Sequence, residues 1–218
     1  MSEKFCLDLT LDDLTLWCEE RGVPKYRASQ IYGWLSSGSV DTADMTNVPK
    51  NIRAMLEEDF IFGGFDLREH LVSKIDGTEK FVYGLHDGNI IETVAMRYKP
   101  GISVCVSSQA GCKMGCAFCA SAKIAFGRSL SAGEILAQVS VTQKIIGERI
   151  RSVVIMGIGE PFDNYDNVMR FIKLANDPEG LGLGARHITL STCGLVPKIE
   201  AFTKEGLLPL LQSAYKVN

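Results

Sequence analysis

The sequence predicts an α/β fold in which a parallel sheet, built from βα units, follows a small helical domain. Three observations predict it. Apolar residues recur with helical spacing up to about residue 60, a β-hairpin pattern begins at Lys80, and a strand–loop–helix order then occurs three times. We therefore predict a helical accessory domain at 1–75, a β-hairpin connector at 76–100 and an α/β core at 101–218.

Three short helices are predicted in the first 60 residues. The first has Thr10 as its N-cap and stops at Gly22. A second is predicted over 27–35, and a third has Pro49 in its first turn. In the connector, the β-rich runs KFVYGL and IIETVAMRY flank Asp87-Gly88, a dipeptide that favours tight hairpin turns.

Three βα units are predicted after the hairpin. Their strands are expected at 103–107, 153–156 and 187–191. The helix after the first strand has a capping box of Ser131 and Glu134, and the other two helices are predicted at 164–175 and 197–206. A fourth strand is predicted to begin near Leu207.

Composition is ordinary except for the cysteines. The chain is 46% apolar and 22% charged, and it contains no apolar run long enough to span a membrane. Its acidic N-terminus differs from a secretory signal, so we expect a cytoplasmic protein without a membrane partner. Seven cysteines are an odd number and, in that compartment, indicate metal or redox chemistry rather than disulfides.

Charge is distributed unevenly along the chain. The net charge is −3, yet residues 97–151 contain eight Lys or Arg against only Glu134 and Glu148. Such a stretch could meet the phosphates of a nucleic acid, and solvated faces of helices and loops explain it equally well.

Three thiols occur in the segment GCKMGCAFCA, directly after a predicted strand. Thiolates are soft ligands, and the C-x3-C-x2-C spacing of Cys112, Cys116 and Cys119 lets three of them bind three irons of a cubane cluster. The fourth iron is then open to a ligand. A zinc site is the alternative, and it would need a fourth ligand, for which the candidates are Cys105, Cys193 and His187.

Longer motifs around these cysteines resemble one enzyme family. The segment CVSSQAGCKMGCAFCASAKIAFGRSLSAGEI, with Phe118 before its last cysteine, resembles the motif of radical S-adenosylmethionine enzymes. VVIMGIGEPFDNYDNV, ITLSTCGLVPKI, YRASQIYGWL and MTNVPKNIR resemble the RlmN/Cfr group of RNA adenine methyltransferases, RlmN more than Cfr. The resemblance spans about 26–205 and implies a partial (βα) barrel of the radical-SAM type, truncated after about three βα units.

The resemblance also implies cofactors and site residues. Cys112, Cys116 and Cys119 are expected to bind a [4Fe-4S] cluster, and Gly159, Glu160 and Ser191 to bind S-adenosyl-L-methionine. Cys105 and Glu92 match the family's catalytic cysteine and glutamate, which move protons when the RNA adduct is resolved. Without the resemblance, Cys105 is a small buried apolar residue of a strand and Glu92 a solvent-facing one.

The implied activity is methylation of C2 of an adenosine in 23S rRNA and in tRNA. An electron donor such as flavodoxin and a monomeric state are expected with it, and Phe126 and Arg128 are candidates to line the RNA path. The alternatives are a C8-methylating enzyme like Cfr and a zinc-stabilised RNA-binding module. Family members use a further cysteine near the C-terminus to carry the methyl group, and no cysteine follows Cys193, so we expect a cofactor site without turnover.

Overall fold

A seven-stranded mixed sheet organises the chain, which the computed structural model describes over residues 4–205 and 211–214. The N-terminal elements are β1 (Lys4–Phe5), α1 (Leu11–Glu20), α2 (Tyr26–Ser36), α3 (Lys50–Asp59) and β2 (Phe60–Ile61), and β1 pairs with β2 in parallel. The sheet and its small neighbouring hairpin contain β3 (Phe65–Val72), β4 (Glu79–Leu85), β5 (Ile90–Tyr98), β6 (Gly101–Val106), β7 (Gln109–Ala110), β8 (Arg128–Ser129), β9 (Ile150–Ile155), β10 (Ile188–Thr192) and β11 (Leu211–Ala214). The remaining helices are α4 (Ala132–Ile146), α5 (Tyr165–Asn176) and α6 (Val196–Lys204).

The predicted α/β fold is confirmed by the strand order. The sheet runs β11-β10-β9-β6-β5-β4-β3, with β6, β9, β10 and β11 parallel and the other three antiparallel. α4 connects β6 to β9, α5 connects β9 to β10, and α6 follows β10. This is the order of a βα barrel that has an antiparallel extension at one side.

The predicted helix caps are present. Asp13 N donates to Thr10 Oγ1 (3.0 Å) and Thr10 N donates to Asp13 Oδ2 (3.0 Å), which completes a capping box at the start of α1. The predicted box at α4 is also formed, because Glu134 N donates to Ser131 Oγ (3.1 Å) and Ser131 N to Glu134 Oε2 (2.9 Å). Both helices therefore begin where the sequence predicts.

Three features of the fold differ from the prediction. β3 lies inside the segment predicted to be helical. It is an edge strand whose residues after Phe65 are all exposed, and a register shift between Leu67 and Glu69 interrupts its apolar alternation, so the strand pattern is weak in the sequence. β4 and β5 are strands of the main sheet rather than a connector beside it. The strand predicted near Leu207 is found at Leu211–Ala214, and Leu207 itself lies outside the described residues.

The two faces of the sheet are unequally covered. One face is buried under α4, where Tyr83 Oη shares a hydrogen bond with Thr142 Oγ1 (2.7 Å) and Thr93 Oγ1 donates to Gln138 Oε1 (3.0 Å). The apolar residues of α1 to α3 belong to the same core as this face. The opposite face is only half-buried and carries the predicted site residues of β5, β6 and β10: Glu92, Cys105 and Ser191.

No helix within 4–205 is long and apolar enough to cross a membrane.

The Arg128 side chain is held by ion pairs within the fold and is not free to bind RNA. Its guanidinium donates twice to the buried carboxylate of Glu134, at 2.7 Å each, and also bonds to Asp87 in the turn between β4 and β5. The hairpin turn is thereby tied to the beginning of α4.

We expect the ion pair of Asp87 to make the fold sensitive to acid. Burial raises the pKa of the Asp87 carboxyl, but hydrogen bonds from Arg128 and Asn89 lower it by more. The pKa of Asp87 is therefore well below its ordinary value. A carboxylate with a depressed pKa stabilises the fold above its unfolded-state pKa of about 3.9, and this stabilisation is lost as pH falls through the folded-state value. The free energy of unfolding should therefore fall below about pH 4.

Asp87→Asn is expected to lower the stability at pH 7 by about 1–3 kcal/mol and to flatten its decline in acid. Urea denaturation of both proteins between neutral pH and about pH 3 measures this. Asp66→Asn, in the exposed edge strand β3, is the control and should change neither quantity appreciably. Equal acid slopes for Asp87→Asn and the unchanged protein would contradict the assignment.

Candidate active site at the carboxyl edge of the sheet

The loops that follow β6, β9 and β10 meet at one edge of the sheet. Parallel strands place their carboxyl ends together, so Ser107, Met156 and Cys193 begin three loops side by side. The loops are joined directly: Gly157 N donates to Val106 O (3.0 Å) and Ile158 N donates to Ser107 Oγ (3.1 Å). This edge is where the sequence predicts the cofactor site.

The cysteine loop occupies the segment between β7 and β8. Cys112, Cys116 and Cys119 are all half-buried, and the Phe118 side chain beside them is 72% exposed. Gly111 has φ +82° and lies so close to the returning chain that a Cβ atom would be 2.0 Å from Ala125 O. Only glycine meets both conditions, because the left-handed region disfavours a side chain and no space exists for one.

Two thiols at this edge have raised pKa values. Burial raises the pKa of the Cys112 thiol, and the nearby Cys119, Cys116 and Glu160 groups raise it further. Burial, followed by a hydrogen bond to Glu160, raises the pKa of Cys193 to about 12, with smaller effects from Cys116 and Cys112. Contacts join the same residues: Cys193 N donates to Glu160 Oε2 (2.7 Å), and Glu160 N donates to Gln109 Oε1 (3.0 Å), three positions before Cys112.

The donor set fits an iron–sulfur cluster. Cys112, Cys116 and Cys119 lie within eight residues of one loop, and their thiolates are soft ligands. A single zinc ion needs its ligands around one point, whereas a cubane binds each thiolate at a different iron. Of the candidates for a fourth zinc ligand, Cys193 lies beside these thiols, while His187 precedes β10 at the opposite edge.

Glu160 is a buried carboxylate whose oxygens are fully occupied by hydrogen bonds. The residue is 3% exposed, and besides the bond with the Cys193 thiol it accepts from two backbone amides and a hydroxyl group. Phe162 N (2.9 Å) and Thr192 Oγ1 (2.7 Å) donate to Oε1, and Cys193 N (2.7 Å) donates to Oε2. Donors from two loops thus orient this carboxylate beside the cysteine loop.

Gly159 brings the Glu160 loop against the segment that leads to the cysteines. It has φ +108°, and a Cβ atom here would lie 2.6 Å from Gln109 Cβ and 2.7 Å from Ser108 Oγ. Any side chain would separate the two segments. The glycine is therefore required for the packing, whether or not its backbone also contacts a cofactor.

The remaining predicted residues lie on the half-buried face of the sheet. Cys105 pairs in register with Val94, and Glu92 lies two residues before Val94 in β5, which makes it a diagonal neighbour of Cys105 at about 7–8 Å. Burial raises the pKa of the Cys105 thiol. Glu92 Oε1 is 2.5 Å from Lys80 Nζ, and Ser191 is half-buried at the carboxyl end of β10. The roles of these residues stay predictions.

The sequence gives no signal for several polar residues that assemble the edge. Gln109 and Asn164 are buried, and Asn164 Nδ2 donates to Ser108 O and Leu130 O, at 2.8 Å each. Thr192 holds Glu160, and Asp163 bonds to Gln109. All four fall inside the quoted motifs, so proximity to residues with predicted roles is the signal that could have found them.

Two family models match the chain. Residues 106–214 match the radical SAM superfamily, and residues 6–61 match the N-terminal domain of the ribosomal RNA large subunit methyltransferase. The first match contains all three cysteines of the loop and the Glu160 loop. The second contains α1, α2 and α3.

Similar proteins include several named as RNA methyltransferases. A protein of Clostridium botulinum (strain Eklund 17B / Type B), named probable dual-specificity RNA methyltransferase RlmN, is 52% identical over 90% of this chain and 56% of its own length. One of the same name from Clostridium perfringens (strain 13 / Type A) is 50% identical over 99% of this chain and 62% of its own length. The crystal structure of a radical SAM methyltransferase from Sphaerobacter thermophilus has a TM-score of 0.86 and 39% identity, covering 92% of this chain and 60% of that one. The chain thus spans about three fifths of the length of these relatives.

Proposed function

Because the chain belongs to the radical SAM superfamily and, within it, to the RlmN group, we propose that its function is S-adenosylmethionine-dependent methylation of adenosine C2 in 23S rRNA and in tRNA. The observation that supports the proposal is the packing of the Glu160 loop against the segment that leads to the three-thiol loop: Glu160 N donates to Gln109 Oε1 (3.0 Å), and a Cβ atom at Gly159 would lie 2.6 Å from Gln109 Cβ. The three thiols are proposed to form the soft-metal site and the buried Glu160 carboxylate the site for an amino group.

Enzymes of this superfamily use a [4Fe-4S] cluster and S-adenosylmethionine. When bound, these groups supply the one-electron chemistry that activates an unreactive C–H bond. Cys112, Cys116 and Cys119 would hold the cluster. Gly159, Glu160 and Ser191 would hold the cofactor, with the Glu160 carboxylate suited to a positively charged amino group.

Cys105 and Glu92 are proposed to move the protons of the reaction. The raised pKa of Cys105 keeps its thiol protonated near neutral pH, so a proton acceptor must lie near it before it can act as a base. Glu92 is the diagonal carboxylate on the same open face of the sheet. Its Oε1 lies 2.5 Å from Lys80 Nζ, so the ion pair fixes the carboxylate on this face.

The substrate and partners follow from the same premise. Phe118 and Phe126 are exposed on the cysteine loop and its return, where aromatic rings can stack on bases taken out of an RNA helix. The exposed Lys123 adds positive charge to the same segment, while Lys113 is paired with Asp163. An electron donor such as flavodoxin, a monomeric state and a cytoplasmic location complete the proposal.

Anaerobic reconstitution with iron and sulfide tests the cofactor part. A brown protein whose reduced cluster gives an electron paramagnetic resonance spectrum that changes on adding S-adenosylmethionine is expected. A colourless protein that binds one zinc ion would overturn it and favour a zinc-stabilised RNA-binding module.

Because relatives are longer, methylation is tested in a chimera that continues this chain with the remaining part of the Clostridium perfringens relative. Mass spectrometry of nucleosides from 23S rRNA and tRNA then distinguishes 2-methyladenosine from the 8-methyladenosine of a Cfr-like enzyme.

In this chimera, Cys105→Ala is expected to abolish release of methylated RNA and leave the iron content unchanged. Glu92→Gln should slow methylation about 100-fold or more, since general acid–base groups typically contribute that much. Single-turnover assays with labelled S-adenosylmethionine measure both effects. Glu69→Gln, in the exposed strand β3, is the control for loss of a surface carboxylate. Wild-type rates in Cys105→Ala would refute its role.

A further inference from the structure

Gln109 lies between the cysteine loop and the loop of Glu160. It belongs to the two-residue strand β7, three positions before Cys112, and is 0% exposed. A buried side-chain amide is costly unless both its oxygen and its nitrogen have hydrogen-bond partners. The identity of those partners therefore shows what the residue holds together.

Both ends of the Gln109 amide bond to other segments. Oε1 accepts a hydrogen bond from Glu160 N (3.0 Å). Nε2 donates to Asp163 Oδ2 (2.8 Å) and to Ser129 Oγ (3.2 Å). Because only the nitrogen can donate to a carboxylate, Asp163 determines which way the amide faces, and the oxygen is thereby directed at Glu160.

The backbone of the same residue reinforces the contact. Gln109 N donates to Ile158 O (3.1 Å), and Gly159 packs so closely that a Cβ atom there would be 2.6 Å from Gln109 Cβ. The two loops are thus in direct contact with no room for a further atom. A change in the Gln109 side chain must move the backbone that carries Glu160.

The connection continues into the cysteine loop through charge. Asp163 Oδ2 also contacts Lys113 Nζ (3.0 Å), and Lys113 directly follows Cys112. A chain of polar contacts therefore runs from Glu160 through Gln109 and Asp163 to Lys113. It joins the residue proposed to bind the cofactor amino group to the residue beside a proposed cluster ligand.

We propose that Gln109 is a positioning residue that sets the place of Glu160 relative to the cysteine loop. The inference rests on the proposed function, because the two loops are taken to hold cofactor and cluster. Gln109 does not contact reacting atoms. Its replacement should leave cluster assembly intact, since all three thiols remain, and should weaken the binding of S-adenosylmethionine to the assembled cluster.

The test compares Gln109→Met with Gln143→Met in the anaerobically reconstituted chain. Methionine has a similar volume and cannot replace either hydrogen bond. Gln143 is the matched control because its Oε1 also accepts from a backbone amide, Ile150 N (2.9 Å), but at the opposite edge of the sheet. Asp163→Ala, at a site whose side chain is 20% exposed, interrupts the same chain of contacts without a hole in the core.

Three quantities are measured: iron per chain, hydrogen exchange of segment 157–164 without cofactor, and titration of the reduced cluster with S-adenosylmethionine by electron paramagnetic resonance. We expect Gln109→Met to keep its iron, to exchange the Glu160 amide faster and to bind the cofactor about tenfold or more weakly. Asp163→Ala should shift the titration in the same direction, and Gln143→Met should match the unchanged chain in all three.

The positioning role would be overturned if Gln109→Met and Asp163→Ala both bound S-adenosylmethionine nearly as tightly as the unchanged chain, with a loss of affinity well below tenfold. Loss of iron from Gln109→Met, with iron retained in Gln143→Met, would also overturn it, because Gln109 would then serve the cysteine loop alone. An unchanged chain whose cluster forms but does not respond to S-adenosylmethionine would instead overturn the proposed function.

Discussion

Replacing Cys112, Cys116 or Cys119 by alanine is expected to abolish iron incorporation while the fold is retained. All three thiols are half-buried in a loop outside the hydrophobic core, so their removal leaves no core cavity. A cubane held by three thiolates loses one third of its protein ligands with each removal, and no further thiolate in the loop can replace it. Iron and sulfide analysis after anaerobic reconstitution measures the loss.

Cys105→Ala and Cys193→Ala separate a ligand role from simple proximity. Cys105 is on a strand and should keep the full iron content. Cys193 lies near Cys112 and Cys116, so it is the cysteine most able to act as a fourth ligand. Full iron in Cys193→Ala supports a cluster with one open iron. Iron loss in Cys193→Ala equal to that of the three loop variants would contradict a three-cysteine site and favour a four-thiolate one.

The order of helices and strands could be predicted because it depends on local signals. Thr10 and Ser131 mark helix starts through their own hydroxyl groups, and Gly88 in the turn between β4 and β5 has the positive φ that the Asp-Gly pair indicates. β3 could not be predicted in this way. Its apolar alternation is interrupted by the register shift between Leu67 and Glu69, and pairing with β4 makes the segment a strand.

The site could be predicted in part for a similar physical reason. Three cysteines at short spacing must lie together whatever the fold, so the metal-binding loop is visible in the sequence. The contacts of Glu160 with Thr192 and Cys193 span about 30 residues of chain and exist only because β9 and β10 are neighbours. Polar residues such as Gln109 have no periodicity that distinguishes a buried connection from a surface one.

Gly111→Ala is expected to disrupt the cysteine loop, whereas Gly115→Ala is not. Both glycines have left-handed backbone angles, φ +82° and +67°, so alanine costs about 1–2 kcal/mol at either position. At Gly111 the new Cβ would also lie 2.0 Å from Ala125 O, which requires the backbone of the returning segment to move. At Gly115 nothing lies within 4 Å, so the backbone angle is the whole cost.

The pair thus isolates the close approach from the backbone angle. Gly111→Ala should lower the free energy of unfolding by about 3 kcal/mol or more and strongly reduce iron incorporation, because Ala110 and Gly127 can no longer keep their hydrogen bond (2.7 Å) that closes the loop. Gly115→Ala should keep most of its iron. Urea denaturation and iron analysis of both variants measure these effects. Similar losses in the two would show that the approach to Ala125 does not determine the shape of the loop.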